Sequence, residues 1–412
     1  MGLLTEPVKA DLGLTDLQIS LLQGLAFVLM HALMAFPMGW ATDRWPRRLV
    51  LAGGIFAWSL ATAACGLAWS FASLFLARFA VGVGEAALMP GAQSLLPDYF
   101  GPDRLPKAFA LFQAGAYIGN GGAFAIGGLI LAAATSWNGL ALPLVGELAP
   151  WQATFLVVAL PGPLVALLML TVREPGRGRR AQSAAATAGN SHDAGSGHSG
   201  SNFARFLRAS RGFLVPHLAT VATSGTVVFG VVAWTPSLFV RSFGWAPAEI
   251  GVAYGSIAVV AGGLGTLASA PLARLLDTAR PGRSPARANV LAMMLAMPLA
   301  ATFPLAPSPF VALGCIAGFS FAIGLSSTLM PVLLQLATPQ AFRGRIAAIY
   351  VFASSAIGAA LGPVAVASVT DLIIGDPDML WLSITIVSGA IAPFAILASL
   401  LTVRGFTALP TD

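Results

Sequence analysis

The sequence contains very little charge for its length. Only 9% of its 412 residues are Asp, Glu, Lys or Arg, whereas 57% are hydrophobic. So few charged groups leave too little polar surface to keep a globule of this size in water, which excludes a water-soluble protein. We therefore expect lipid to be the solvent for most of the chain.

Cysteine and histidine are also scarce, with two and four copies. Cys65 and Cys315 fall inside apolar runs, which indicates small packing residues and excludes a disulfide framework. His192 and His198 lie in a polar segment without a neighbouring carboxylate or thiolate. The sequence therefore predicts no metal site and no cofactor. It shows no nucleophile–base pair either, so we do not expect an enzyme.

Long apolar runs recur along nearly the whole chain. A helix needs about 20 apolar residues to cross the roughly 30 Å hydrocarbon core, and these runs reach that length. They do not alternate between apolar and polar residues, as strands of a barrel would. The sequence predicts an all-α polytopic membrane protein with eleven spans. The predicted spans are Leu17–Trp40, Leu49–Trp69, Ala72–Pro97, Leu105–Ala134, Trp151–Val172, Phe213–Phe239, Ile250–Ala273, Ala288–Pro304, Pro309–Leu336, Ile346–Val369 and Leu380–Val403.

The basic residues predict the orientation of these spans. Lys and Arg near span ends are retained on the cytoplasmic side, and all 22 except Lys9, Arg78 and Arg241 lie in one set of alternate connections. This pattern places the C-terminus in the cytoplasm and the N-terminus outside. The net charge of +6 follows from the same loops, so we expect no nucleic-acid partner.

A polar segment divides the chain into two helical halves. Residues 173–211 are rich in Gly, Ala and Ser and predict a flexible cytoplasmic linker. Residues 17–172 then form a bundle of five spans and residues 212–403 a bundle of six. Residues 1–16 are predicted to be an outer loop and residues 404–412 a cytoplasmic tail. Two bundles joined in this way are typical of transporters built from repeated halves.

Two pairs of glycines have the spacing of close helix contacts. Gly115 and Gly119 lie on the fourth predicted span, and Gly358 and Gly362, followed by Pro363, lie on the tenth. Small residues four apart on a helix allow neighbouring backbones to approach. Both pairs are therefore predicted to pack helices together.

The connection after the first predicted span reads GWATDRWPRR and contains Gly39, Asp43, Arg44, Arg47 and Arg48. It resembles the G-x-x-x-D-R-x-x-R-R loop motif of the major facilitator superfamily. An acidic group here can face the positive end of a neighbouring helix, and the arginines can bind carboxylates or lipid phosphates. We interpret the motif as a cytoplasmic gate. The alternative for Arg47 and Arg48 is that they only determine topology.

Three further segments, Leu22–Phe27, Arg78–Ala86 and Ala233–Pro236, are similar to the Spinster-like branch of that superfamily. The resemblance covers essentially the entire chain. It implies two six-helix bundles and a monomer in the inner (plasma) membrane. In that branch the first of twelve helices carries an Asp-Arg pair implicated in proton coupling, and this sequence has no such pair. We expect a missing first helix before Met1; the alternative is a true eleven-span variant.

Arg78 and Glu85 are charged residues inside a predicted span. A charge in the hydrocarbon core costs at least ~2.5–3.5 kcal/mol and normally has a partner or a function. The two residues lie on nearly the same helix face, about 10 Å apart along the axis. Burial and a nearby guanidinium act in opposite directions on the proton affinity of a carboxylate, as a proton switch requires. The alternative is a structural salt bridge.

Polar or aromatic side chains elsewhere in the spans are further candidates. His31 can titrate near neutral pH and is a second possible proton site, although a lone histidine in a span is usually a packed residue. Tyr117 and Asn120 could orient a ligand or form hydrogen bonds between helices. Gln23 and Trp234 complete the predicted substrate cavity.

The helices of the second half contain very few ionisable residues. An apolar cavity wall favours a lipid-like or amphipathic substrate over a sugar. The sequence therefore predicts a secondary active transporter that moves such a molecule, together with protons, by alternating access. The alternatives are an organic-anion or drug:proton antiporter, and a membrane receptor or scaffold that does not transport.

Overall fold

The protein folds almost entirely into helices. Its structure is a computed structural model that describes residues 1–100, 104–136, 140–142, 146–174, 199–276, 284–339 and 342–408. These residues contain eleven helical segments long and apolar enough to cross a membrane. The predicted all-α fold with eleven spans is confirmed. In the described part, the departure from it is a short antiparallel ribbon of β1 (Leu140–Leu142) and β2 (Gly146–Leu148).

The described part of the first half contains nine helices after a 3-10 turn at Gly2–Leu4. The predicted outer loop, residues 1–16, includes the first of them. Three of the described spans in this half are each divided into two helices, at Gly24, at Ala86–Ala87 and at Leu160. The helices are α1 (Thr5–Leu12), α2 (Asp16–Gln23), α3 (Leu25–Arg44), α4 (Arg47–Gly66), α5 (Phe71–Glu85), α6 (Leu88–Tyr99), α7 (Leu105–Ser136), α8 (Pro150–Ala159) and α9 (Pro161–Thr171).

The residues described after the linker gap contain eight helices, with π-helical turns at Phe352–Ile357 and Val369–Ile374 and 3-10 turns at Phe303–Leu305 and Pro377–Met379. The predicted linker ends in the first of these helices, and its residues 175–198 lie outside the described part. The helices are α10 (Ser199–Ala209), α11 (Arg211–Phe243), α12 (Pro247–Leu275), α13 (Ser284–Thr302), α14 (Pro309–Ala337), α15 (Arg343–Val351), α16 (Gly358–Ser368) and α17 (Leu380–Thr407).

The spans alternate in direction and so define two ends of the bundle. We call the end where α3 and α9 finish and α10 begins the linker end, and the opposite end, where α11 finishes, the Arg241 end. One apolar core runs through both halves at the Arg241 end, and its buried members include Leu3, Val8, Trp151 and Phe239. The two halves are therefore packed together around the first residues of the chain.

The halves touch along α7 and α12, and along α2 and α16. A methyl group on Gly121 would collide with the side chain of Val259 and the carbonyl of Gly255, and one on Gly24 would collide with the carbonyl of Ala359. The predicted packing of Gly115 and Gly119 is wrong in this structure, since no described atom beyond the local backbone of α7 lies within 4 Å of a Cβ built at either. The closest approach between α7 and α12 occurs further along α7, at Gly121, towards the Arg241 end.

The second glycine pair lies in a tight helix contact. A Cβ at Gly358 would meet the backbone of Gly225 on α11, and a Cβ at Gly362 would meet the carbonyl of Thr226 and the nitrogen of Gly230. Pro363 follows at the same contact and is buried. These glycines allow α11 and α16 to pack backbone to backbone.

A methyl group at Gly362 should therefore destabilise the second half. We expect Gly362→Ala to lower the free energy of unfolding by about 1–3 kcal/mol, because the backbone atoms it meets cannot move aside. The matched control is Gly115→Ala, which adds the same methyl group to a helix face with open space. Thermal unfolding in detergent measures both, and equal melting temperatures for the two variants would contradict the packing assignment.

Candidate functional site

Four charged side chains join the two halves at the Arg241 end. Arg241, on α11, lies 2.8 Å from Asp16 and 2.9 Å from Glu6, both in the first half. Lys9 lies 2.6 Å from the same Asp16 carboxylate. Arg241 also donates a hydrogen bond of 3.0 Å to the Pro377 carbonyl of its own half. We call Glu6, Lys9, Asp16 and Arg241 the clasp.

A backbone contact reinforces the clasp. The N–H of Leu17 donates to the Asp371 carboxylate at 2.7 Å, so an acidic side chain of the second half meets the N-terminus of α2. The first N–H groups of a helix have no partner inside the helix and carry partial positive charge, which an anion satisfies. Thr15 and Gln18 form a capping box that starts α2 at this point.

The clasp is largely withdrawn from solvent. The Asp16 side chain is fully buried and that of Arg241 is 7% exposed. Removal of one partner from such a pair leaves an uncompensated buried charge, at a cost of about 3–5 kcal/mol. The sequence indicated Lys9 and Arg241 only as the few basic residues of their side. The nearness of Lys9 to Glu6, Asp11 and Asp16 in the sequence was a signal for part of the clasp, whereas no local pattern pointed to Arg241.

Below the clasp lie the predicted residues Gln23, His31, Arg78 and Glu85, which we call the central polar set. The Arg78 Nε donates to the Leu22 carbonyl at 3.2 Å, two residues before the break at Gly24. Its guanidinium lies 5.6 Å from the centre of the Phe27 ring. The broken first span therefore supplies the groups that hold Arg78.

Within the described part of the chain, Gln23 and His31 each keep a buried polar atom without a hydrogen-bond partner. The Gln23 amide nitrogen donates to the Thr5 hydroxyl at 2.7 Å, but its Oε1 is buried and accepts no hydrogen bond. The His31 ring stacks on Phe27 at 5.5 Å, and its Nδ1 is likewise buried and unpaired. Buried polar atoms without partners cost free energy, so each such atom needs an explanation such as a ligand or proton site.

Glu85 is the last residue of α5 and lies at the break before α6. No direct ion pair joins it to Arg78 in the described part of the chain, although both residues lie on α5. The alternative of a structural salt bridge between them is therefore not found. Broken membrane helices are typical of ion and substrate sites in transporters.

Three other predicted cavity residues have different outcomes. The side chain of Tyr117 lies outside the described residues, and Asn120 is exposed on α7. Trp234 was predicted to line the cavity, which is wrong in this structure. Its side chain is fully buried and its Nε1 donates to the Pro363 carbonyl at 3.0 Å. It packs α11 against α16 and does not face a cavity.

At the linker end Arg47 forms a buried cluster inside the first half. It lies 2.5 Å from Asp98 on α6 and 2.9 Å from Glu174 after α9, and it donates to the Ser94 carbonyl at 2.8 Å. The Arg48 N–H donates to the other Glu174 oxygen at 3.0 Å. Arg47 therefore ties three spans together, which a residue that only determines topology would not do.

The remaining motif residues lie on the surface at this end. Asp43 and Arg44 are exposed, and the Arg44 guanidinium stacks 4.2 Å from the Trp40 ring. Gly39 was predicted to allow two helices to close, but no atom lies within 4 Å of a Cβ built there. The structure therefore leaves open space beside Gly39.

Partial burial of Glu174 opposes its ionisation, but hydrogen bonds from the backbone N–H of Arg48 and from the Arg47 guanidinium outweigh it. The pKa of Glu174 is therefore held below its ordinary value of 4.5. This carboxylate stays ionised through the physiological pH range and holds the cluster together.

The family model of the Major Facilitator Superfamily matches residues 1–363. The chain belongs to this superfamily. The predicted membership of the major facilitator superfamily is confirmed, and members of this superfamily are transporters.

Similar proteins include Spinster relatives of this facilitator. A solved bacterial homologue of the human lysosomal transporter Spinster, in an inward-facing and unoccupied conformation, matches with a TM-score of 0.78 and 21% identity, over 98% of this chain and 92% of that one. Human protein spinster homolog 1 is 32% identical over 154 residues, which is 37% of this chain and 27% of the relative. The predicted resemblance to the Spinster-like branch is confirmed.

An MFS-type efflux pump of Mycolicibacterium smegmatis is 25% identical over 276 residues, or 67% of this chain and 57% of the pump. The facilitator chain thus spans less than two thirds of the length of either curated relative.

Loss of Arg241 should open the facilitator at the Arg241 end. We expect Arg241→Ala to speed alkylation of a cysteine placed at the fully buried Val8 by about tenfold or more, because Asp16 and Glu6 lose their shared partner. A water-soluble maleimide measures this in a chain whose Cys65 and Cys315 are replaced by alanine. Arg211→Ala, at the exposed start of the same helix, is the control; equal rates in both variants would contradict the clasp.

The linker-end cluster should make the stability of the facilitator depend on pH. A carboxylate whose pKa is lowered by folding stabilises the protein above its unfolded pKa, and this contribution disappears as pH falls through the lowered value. We therefore expect Glu174→Gln to be less stable than the parent at pH 7, with the difference shrinking below about pH 4. Melting temperatures across pH test this. The exposed Glu147→Gln should show no such difference, and a gap that does not change with pH would contradict the assignment.

Proposed function

We propose that this facilitator is a secondary active transporter that moves an amphipathic small molecule across the inner membrane by alternating access, coupled to protons. The observation that carries the proposal is the central polar set. It combines a carboxylate, a guanidinium and two unpartnered buried polar atoms at the breaks of two spans. Groups of this kind inside a membrane are retained for function.

The distribution of basic residues supports a cytoplasmic linker end, with the C-terminus on the same side. The Arg241 end then faces outward, and the clasp is the outer gate in its closed form. Open space beside Gly39, Gly115 and Gly119 at the other end supports an inward-facing state. In the proposed cycle, the clasp separates when the transporter turns outward, and the GWATDRWPRR motif closes the cytoplasmic side.

Proton coupling is proposed at Glu85, with Arg78 and His31 as its partners. Glu85 and Arg78 lie two turns apart on α5 without a direct ion pair among the described residues, so a proton or a charged substrate group can change the balance between them. The unpaired His31 Nδ1 is a second place for a proton. A monomer contains all of these groups, so we propose a monomeric transporter.

The second half supports an amphipathic substrate. Its described buried amide, Asn289, is already paired with Ser326 at 2.7 Å and with Ser399 at 3.0 Å. No charged side chain of its described spans lies in the middle of the membrane. Polar recognition is therefore assigned to the first half and apolar contact to the second, as a lipid-like molecule with a polar head requires.

A second candidate is a drug:proton antiporter, which the similarity to the mycobacterial efflux pump favours. Both candidates use the same proton site and differ in the substrate. Lysophospholipids should drive transport in the first case and soluble organic anions or drugs in the second.

The decisive experiment compares Glu85→Gln with the parent in proteoliposomes. A pH gradient should drive uptake of a lysophospholipid by the parent, and Glu85→Gln should reduce it at least about tenfold, since glutamine cannot exchange a proton. Glu249→Gln is the control, because this carboxylate caps α12 at the Arg241 end. Uptake that is equally pH-driven in Glu85→Gln would exclude coupling through Glu85. Binding without flux in the parent would favour a receptor instead.

A further inference from the structure

An apolar groove of about 470 Å³ lies on the surface of the second half, between α13 and α17 at the linker end. Its walls include Leu291, Leu397 and Leu400, which are 45–53% exposed. Two arginines, Arg287 and Arg404, also line it. The groove therefore has an apolar lining that also contains two positively charged residues.

The spacing of these residues places both charges at one end. On α13, Arg287 precedes Leu291 by one turn, and on α17 Arg404 follows Leu397 by two turns with Leu400 between them. The two helices run in opposite directions, so the start of α13 and the end of α17 meet at the linker end. The arginines therefore lie at the membrane surface, and the leucines extend towards the hydrocarbon core.

The surrounding charge is also positive. All four acidic residues in the described part of the second half, Glu249, Asp371, Asp376 and Asp378, lie at the Arg241 end. The linker end carries exposed arginines outside the groove as well, among them Arg205, Arg208, Arg274 and Arg343. An anionic ligand at Arg287 and Arg404 would therefore be attracted by these arginines. In the described part of the second half, no carboxylate lies at this end to repel it.

Other grooves between the helices lack this feature. One of about 420 Å³ lies between α11 and α16, and one of about 300 Å³ lies between α4 and α9. Neither is lined by a charged residue. Contact with lipid acyl chains accounts for those two grooves. It does not account for the two arginines, Arg287 and Arg404, that line the groove between α13 and α17.

We propose that the groove binds one anionic phospholipid, with its phosphate between Arg287 and Arg404 and an acyl chain along Leu291, Leu397 and Leu400. Guanidinium groups bind phosphate oxygens through charge-assisted hydrogen bonds, and basic pockets between membrane helices bind anionic head groups. The apolar walls assign the ligand to a lipid and not to free phosphate, because only a lipid covers them. The site is separate from the central polar set and does not depend on the proposed transport function.

The test titrates the full chain in neutral detergent with phosphatidylglycerol and measures bound lipid by native mass spectrometry. We expect the double variant Arg287→Ala/Arg404→Ala to bind phosphatidylglycerol about 25-fold more weakly, at about fivefold for each arginine near the surface. Phosphatidylcholine with the same acyl chains should bind weakly and equally to both proteins. Glycerol phosphate should not compete.

The matched control is Arg205→Ala/Arg208→Ala, which removes the same charge from the exposed face of α10 at the same end. This control variant should weaken phosphatidylglycerol binding less than about twofold, far below the loss of about 25-fold expected when Arg287 and Arg404 are removed. Arg287→Lys/Arg404→Lys keeps the charge and should retain most of the affinity. Equal losses of phosphatidylglycerol affinity in the two alanine variants would mean that any positive charge at the linker end attracts the lipid. That result would overturn the proposed site. Full competition by glycerol phosphate would overturn the assignment to a lipid.

Discussion

The ion pair between Arg241 and Asp16 is the interaction on which the arrangement of the two halves depends. Asp16 begins α2 and is fully buried, and Arg241 lies near the end of α11. A buried carboxylate is tolerated only when its charge is compensated, and here Lys9 of the same half and Arg241 of the other half share that role. Separation of the halves at this end removes Arg241 from Asp16 and leaves Lys9 as its remaining described ion-pair partner. Glu6, Lys9 and Asp371 extend the same contact.

The breaks in two spans have a comparable importance for the site. Gly24 interrupts the first span beside the carbonyl that Arg78 binds, and the Ala86–Ala87 break follows Glu85. Unbroken helices would present only side chains at these depths, because their backbone groups are paired internally. The breaks therefore bring polar backbone into the same region as the ionisable side chains. In the proposed transport cycle, the clasp closes one side while this region remains reachable from the other.

Much of this organisation could be predicted from sequence. Apolar run length alone predicts the eleven spans, since a span is a local property of about 20 consecutive residues. The charged residues Arg78 and Glu85 were identified because charge is rare in a span. The roles of Gly115, Gly119 and Trp234 were not predicted correctly, because a glycine spacing or an aromatic residue does not specify which neighbour it meets. Gly358 and Gly362 have the same spacing as the first pair, yet these two meet a neighbouring backbone.

The sequence by itself determined that the protein is embedded in lipid, how many spans it has and which superfamily motif it contains. Each of these depends on residues that are adjacent or a fixed spacing apart. The tertiary structure decided which distant charges meet. Arg241 and Asp16 are far apart in the chain, as are Arg47, Asp98 and Glu174, and no local pattern pairs them. The same holds for Arg287 and Arg404, which line one groove only because α13 and α17 pack side by side in opposite directions. Electrostatic pairing acts through space, so the fold had to be known before these contacts could be assigned.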